Sequence, residues 1–378
     1  LLTDQQNGPG LRSMKVGVTF HRPEIIDSGW AMKILQILGG FGTIDARLSG
    51  TMGTLAVLDS CMDNKIKCDF RPTIECLAEM VKEYDSIIIA MFSDNPLKSH
   101  AFCWHLVRKL NRPNIPIVEV EAKNGVVIDW CAKSDLSARL ARKLRFKLTP
   151  APDYGRNEWV KDGIKYRKIL AAEPGDFVLV NGTVVGRATS EEVILRESDG
   201  KIVGGDGVEF KEQGLVKLSR WEKIDLFGAK LDTTNSLRRS EFKRRYRVLT
   251  PKGDLIAFIE HDVASRSGAA VYGEIRRGIT GAVTIGDDTT AIAGEILSRY
   301  RIPVIGVVDG DKDGLLKDTM LAEGSTILTV KIDDQLGEVI HDKLFKGKRL
   351  VNLKFQETKD RVVNLAVESN QLIRREDS

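Results

Sequence analysis

The 378-residue chain contains no apolar run long enough to cross a bilayer. Its longest, Ser86–Phe92 and Pro303–Val308, are strand-sized against the roughly 18 residues a spanning helix needs. Cysteine is scarce: Cys61, Cys68, Cys76, Cys103 and Cys131 form an odd set without a C-x-x-C pair. That excludes a disulfide scaffold and a paired-cysteine zinc site, and reads as reduced thiols of a cytoplasmic protein. Of the five histidines, His100 and His105 are five apart on a helical stretch and so face different sides, which makes a poor metal pair. No G-x-G-x-x-G, P-loop or nucleophile elbow occurs, so the familiar dinucleotide, NTPase and serine-hydrolase signatures are missing. Excess charge is missing too. The 57 Lys and Arg against 53 Asp and Glu leave +4, so any case for nucleic acid must rest on local clusters. Residues 1–13 have no apolar segment of signal-peptide type and read as an extension or tag.

What is present is the composition of a globular protein, 42% hydrophobic and 29% charged, long enough for two or three domains. From 14 to 130, VGVTF, TIDARL, IKCDF, SIIIAMF and PIVEVE alternate with amphipathic stretches. That alternation predicts a parallel sheet covered on both faces, Rossmann-like or flavodoxin-like. Residues 131–163, with the basic stretch SDLSARLARKLRFKLTP, read as a helical connector. Residues 164–235 read as a small β-rich domain, because FVLVNG, TVVGRA, EEVILRE and GKIVGG are punctuated by Asn-Gly, Asp-Gly and Gly-Gly turn signals. Residues 236–378 return to α/β: strands at LIAFIEHD, GAVTIGDD, IPVIGVVDGD and STILTVK, helices at AAVYGEIRRG, TAIAGEILSRY and LLKDTMLAE, then a helix and one β-hairpin.

The strand ends carry the candidate chemistry. Asp309, Asp311 and Asp313 alternate with Gly310 and Gly314 after an apolar strand. Their mutual repulsion calls for a cation, and dense oxygen ligands suit Mg²⁺. Asp287-Asp288-Thr289-Thr290 opens a helix, where the acids are further metal candidates and the threonines could meet an anion at the helix N-terminus. Plain capping turns explain both stretches equally. Glu260 ends the first strand of the same block. In the first domain Gly50, Thr51, Gly53 and Thr54 lie between a strand and a helix, where backbone amides could approach a phosphate or an ordinary tight turn could form. Two basic clusters stand out: Arg139–Lys147, and Arg238, Arg239, Lys243, Arg244 and Arg245 interleaved with Phe242 and Tyr246. The second could combine phosphate contacts with base stacking, although charge runs are commonly solvated faces.

The order strand-Glu260, helix, strand, helix, strand-Asp309-x-Asp311-x-x-Gly314 resembles the toprim fold of primases, topoisomerases and small maturation nucleases. The resemblance implies Glu260 as general acid or base, and Asp309 and Asp311 holding Mg²⁺ against a phosphodiester or pyrophosphate. From Met14 onward the chain also resembles an uncharacterised archaeal family found mainly in methanogens, DUF2117, through PEIIDSGWA (23–31), SGTMGTLAVLD (49–59) and the stretch 283–313. That implies an archaeal cytoplasm and no particular activity. Two readings follow. One is a Mg²⁺-dependent protein acting on a phosphate-containing substrate, nucleic acid included. The other is a non-catalytic protein that binds a nucleotide or phosphorylated metabolite. A homo-oligomer is compatible with both.

Overall fold

The structure is a computed structural model that describes residues 14–49, 51–132, 134–221, 223–234, 253–260, 269–310, 316 and 319–377. Its contacts divide the chain into two units, one formed by residues up to 49 and 62–154, the other by 50–61 and 155–378.

The first unit is built on β1 (Met14–His21), β2 (Gly42–Ser49), β3 (Lys67–Asp69), β4 (Ser86–Met91), β5 (Ile117–Glu121), β6 (Val126–Asp129) and β7 (Lys147–Pro150), in the order β3-β2-β1-β4-β5-β6-β7. The first five strands are mutually parallel, and β6 turns antiparallel to β5. This is the doubly wound order, reversing between β1 and β4. Its helices are α1 (Glu24–Asp27), α2 (Trp30–Leu38), α4 (Thr73–Glu83), α5 (Pro96–Lys109) and α6 (Asp135–Leu144), while α3 (Thr51–Asp59) groups with the other unit. The apolar run of β4 is buried at every position, as a doubly covered strand requires. Helix starts follow their side chains: Asn95 accepts from the Leu97 N–H and Ser134 from the Leu136 N–H, both at 2.9 Å. Of the stretch 131–163, expected to connect domains, residues up to 154 group with this unit and 155–163 with the other. An alternating buried face folds α6 back against β6, and β7 then pairs parallel to β6.

In the second unit β8 (Glu158–Lys161), β9 (Ile164–Ile169), β12 (Val193–Ser198) and β13 (Lys201–Asp206) form one antiparallel sheet. The other consists of β10 (Phe177–Val180), β11 (Thr183–Ala188), β14 (Val208–Phe210) and β15 (Leu231–Thr234), and α7 (Glu212–Trp221) follows β14. The Asp162-Gly163, Asn181-Gly182 and Asp199-Gly200 turns all have positive φ at both residues, the type I′ geometry that matches strand twist. Val178, Val180, Val185, Val193, Leu195, Leu218 and Leu226 fill the shared core.

The C-terminal part comprises β16 (Leu255–Ile259), α8 (Ala269–Arg276), β17 (Gly281–Ile285), α9 (Asp287–Ser298), β18 (Val304–Val308), β19 (Thr326–Val330), α10 (Asp333–Lys343), β20 (Leu350–Asn352), α11 (Phe355–Glu368) and β21 (Leu372–Asp377). Four parallel strands run β16-β17-β18-β19, with β20 and β21 antiparallel on opposite edges. Two expectations are corrected. Residues 319–322, inside the expected helix LLKDTMLAE, are not helical. The tail supplies two helices and two separate edge strands rather than a hairpin, because its apolar positions complete the core on one face of the sheet. Close helix–strand packing depends on Gly306, where a Cβ would lie 2.5 Å from Thr290 Cγ2.

Candidate functional site

All four parallel strands of the C-terminal sheet deliver their carboxyl ends to one edge, the place where open α/β sheets bind ligands. The Gly286 N–H donates to Val307 O at 2.9 Å, which keeps the ends of β17 and β18 level. Gly286 then starts α9 with φ 95° and ψ 151°, backbone geometry that only glycine adopts without strain. The space a side chain would take there faces Lys217 Nζ, Asp333 Oδ2 and Thr289 Oγ1, at 3.6, 3.7 and 3.9 Å from an ideal Cβ. A cradle results, with an ammonium, a carboxylate, a hydroxyl and the positive end of α9 around one gap.

Asp333 opens α10, is 3% exposed and has its Oδ2 3.9 Å from Lys217 Nζ. Burial pushes its carboxyl above the ordinary aspartate range and neighbouring Asp334 and Asp309 push the same way, against the pull of Lys217. Asp287 is buried in the first turn of α9 and Asp288 is half-buried beside it. Glu260 is exposed at the end of β16, separated from β18 by the whole of β17, or about 10 Å at ordinary strand spacing. Asp311 and Gly314 lie outside the described residues. Among the described residues, no three His, Cys, Asp or Glu side chains come together to hold a metal.

The threonines divide. Thr289 reaches the cradle, whereas Thr290 is fully buried and shares a 2.8 Å hydrogen bond with Thr284, so its hydroxyl is spent on holding α9 to β17. In the first-domain candidate, Thr51 opens α3, and Gly53 and Thr54 are buried within that helix. Gly50 lies outside the described residues, as do Arg238, Arg239, Lys243, Arg244 and Arg245.

Sequence reasoning missed Lys217 and Asp333. Asp333-Asp334 follows a strand end much as Asp287-Asp288 does, so the same rule would have found it. Lys217 has no local signal. His100 was also undervalued: its Nδ1 lies 2.6 Å from the fully buried Glu119, whose other oxygen accepts from the Trp130 indole at 2.7 Å.

Two comparisons bear on identity. A family described as an uncharacterized protein conserved in archaea matches residues 18–348. An uncharacterized protein of Methanocaldococcus jannaschii is 33% identical over 368 residues, covering 94% of this chain and 98% of that protein. No solved structure matches.

Proposed function

The chain belongs to that archaeal family, DUF2117, and because the family description carries no activity we propose a function from the site itself: divalent-cation-dependent action on a phosphate-containing substrate at the cradle around Gly286. The single observation supporting it most is the convergence of Lys217, Asp333 and Thr289 on the start of α9. Backbone N–H groups of α9 and the Lys217 ammonium would take phosphate oxygens, as helix N-termini and lysines do. Asp309 and Asp333 would hold Mg²⁺, which when bound polarises the phosphoryl oxygens. Glu260 and Asp311 as acid/base and second ligand rest on the toprim resemblance. A phosphodiester positioned by the 238–247 segment falls in the same substrate class. The five cysteines, all free, suit the cytoplasm, and among the described residues no helix is long and apolar enough to cross a membrane.

A second reading, binding of a nucleotide or phosphorylated metabolite without turnover, is favoured by one observation: Lys217 already supplies a cation beside Asp333. One experiment addresses both. Inorganic pyrophosphate and a nucleoside triphosphate, each with and without Mg²⁺, are titrated against thermal unfolding while phosphate release is followed. A ligand at a hundred times its Kd adds about 2.7 kcal/mol, a Tm rise of roughly 5–10 °C for a unit of this size. The rise should need Mg²⁺ and vanish in Lys217→Met and Asp333→Asn. Release of phosphate selects the first reading, and saturable stabilisation without release selects the second. No shift with any ligand, or a shift indifferent to both substitutions, removes the site.

A further inference from the structure

The surface of α6 and β7 in the first unit carries a track of cations with no described counter-charge. Arg139, Arg142 and Lys143 are spaced i, i+3, i+4 on the exposed face of α6, and Arg145 and Lys147 continue it past the helix end onto the edge strand β7. None of the five forms an ion pair with a described residue. On α2, which packs against α6, exposed Lys33 lies 3.9 Å over the Trp30 ring, and Arg139 lies 4.3 Å over Phe41. The helix dipole accounts for Arg142 and Lys143 in the last turn of α6, but not for Arg139, nor for Arg145 and Lys147 beyond it. Same-sign neighbours at i, i+3 and i, i+4 repel, a cost that a bound polyanion removes. Arg145 also occupies the left-handed position after the helix, φ 62°, where glycine would sit without strain.

We propose that this face of the first unit binds single-stranded RNA through its phosphate backbone. Three of the five cations are arginines, whose planar forks match phosphate oxygens. The cations on α6, Arg139 to Lys143, span about 6 Å of its axis, and Arg145 and Lys147 carry the track onto β7. The loops and ends offered to proteins as single strands are characteristically RNA. Part-exposed rings among the cations, Trp30, Phe41 and Phe146, suit stacking against unpaired bases. An anionic membrane fits less well, because Leu148 is the sole large apolar side chain of α6 and β7 counted among the exposed ones. Nothing in this inference depends on the cradle around Gly286.

The test is fluorescence anisotropy of a labelled 20-nucleotide RNA of mixed sequence against the full chain over a salt series. Four to five phosphate contacts give a slope of log Kobs against log[salt] of about −3. Replacing Arg142, Lys143 and Arg145 by Ala should bring the slope about 2 closer to zero. Arg142→Lys should keep it. Arg145→Gly should raise the Tm while weakening binding, which separates a binding role from a structural one. The proposal is overturned if the RNA does not bind, or if the triple variant binds with unchanged slope. It also fails if only substitutions at Arg238, Arg239, Lys243, Arg244 and Arg245 reduce binding, or if phosphatidylserine–phosphatidylcholine vesicles bind this face more tightly than RNA at the same salt.

Discussion

Asp333 keeps a carboxylate where burial opposes its charge, an opposition that Lys217 at 3.9 Å offsets in part. A group kept at a cost to stability is what a ligand site requires. Asp333→Asn should therefore stabilise the ligand-free protein while abolishing its response to Mg²⁺ and pyrophosphate, both measured by thermal unfolding. Glu197 shows the opposite balance. Burial raises its carboxyl, but the Gly200 N–H at 2.9 Å, Lys165 Nζ at 3.0 Å and the Leu226 N–H at 3.4 Å outweigh that and hold it below the ordinary glutamate range. Its contribution is thus fully present above the unfolded value of 4.5 and is lost as pH falls through the lower folded value. Glu197→Gln should cost about 1–3 kcal/mol near pH 7. Denaturant melts between pH 7 and pH 3 should show the gap to the parent protein shrinking towards acid; a constant gap would contradict this account.

At the scale of elements, a buried ion pair joins α3 to the end of α9. Arg299, 4% exposed, has its Nε 3.2 Å from Asp59 and its Nη2 2.8 Å from Glu295, whose other oxygen accepts the Met320 N–H. Removing one member of such a group strands the others. Arg299→Leu is expected to cost about 3–5 kcal/mol, and the triple change with Asp59→Leu and Glu295→Gln should recover part of it in chemical denaturation. Gly306→Ala probes the approach of α9 to β18: its Cβ would meet Thr290 Cγ2 at 2.5 Å and Ile327 Cδ1 at 2.7 Å. Overpacking of that kind costs about 1–3 kcal/mol, and a loss of stability together with weaker pyrophosphate binding would place the start of α9 in both roles.

For the whole molecule, the division into units does not follow chain order, since residues 50–61 belong with 155–378. A fragment of residues 155–378 lacks the Asp59 partner of Arg299 and should unfold at lower temperature than the same unit in the full chain. Adding a peptide of residues 50–61 should raise its Tm. Equal melting of the fragment with and without the peptide would show that α3 is dispensable. The same division falls within 131–163: Leu136, Leu140 and Leu144 are buried in the first unit, while residues from 155 onward belong to the second.

The sequence by itself determined the five parallel strands of the first sheet, the four of the C-terminal sheet, and the hairpins at Asn181-Gly182 and Asp199-Gly200. Fully covered strands must be apolar runs, and Asn-Gly and Asp-Gly pairs have few alternatives to a type I′ turn. It also marked Asp309, Asp287 and Thr289, because their strand-end position is a local property. Only the tertiary structure decided that Lys217, on a helix after a different sheet, meets Asp333 at the start of α9, that Thr290 is spent on Thr284, and that α3 joins the second unit. Those outcomes depend on which faces pack together across distant parts of the chain, and neither periodicity nor spacing encodes that.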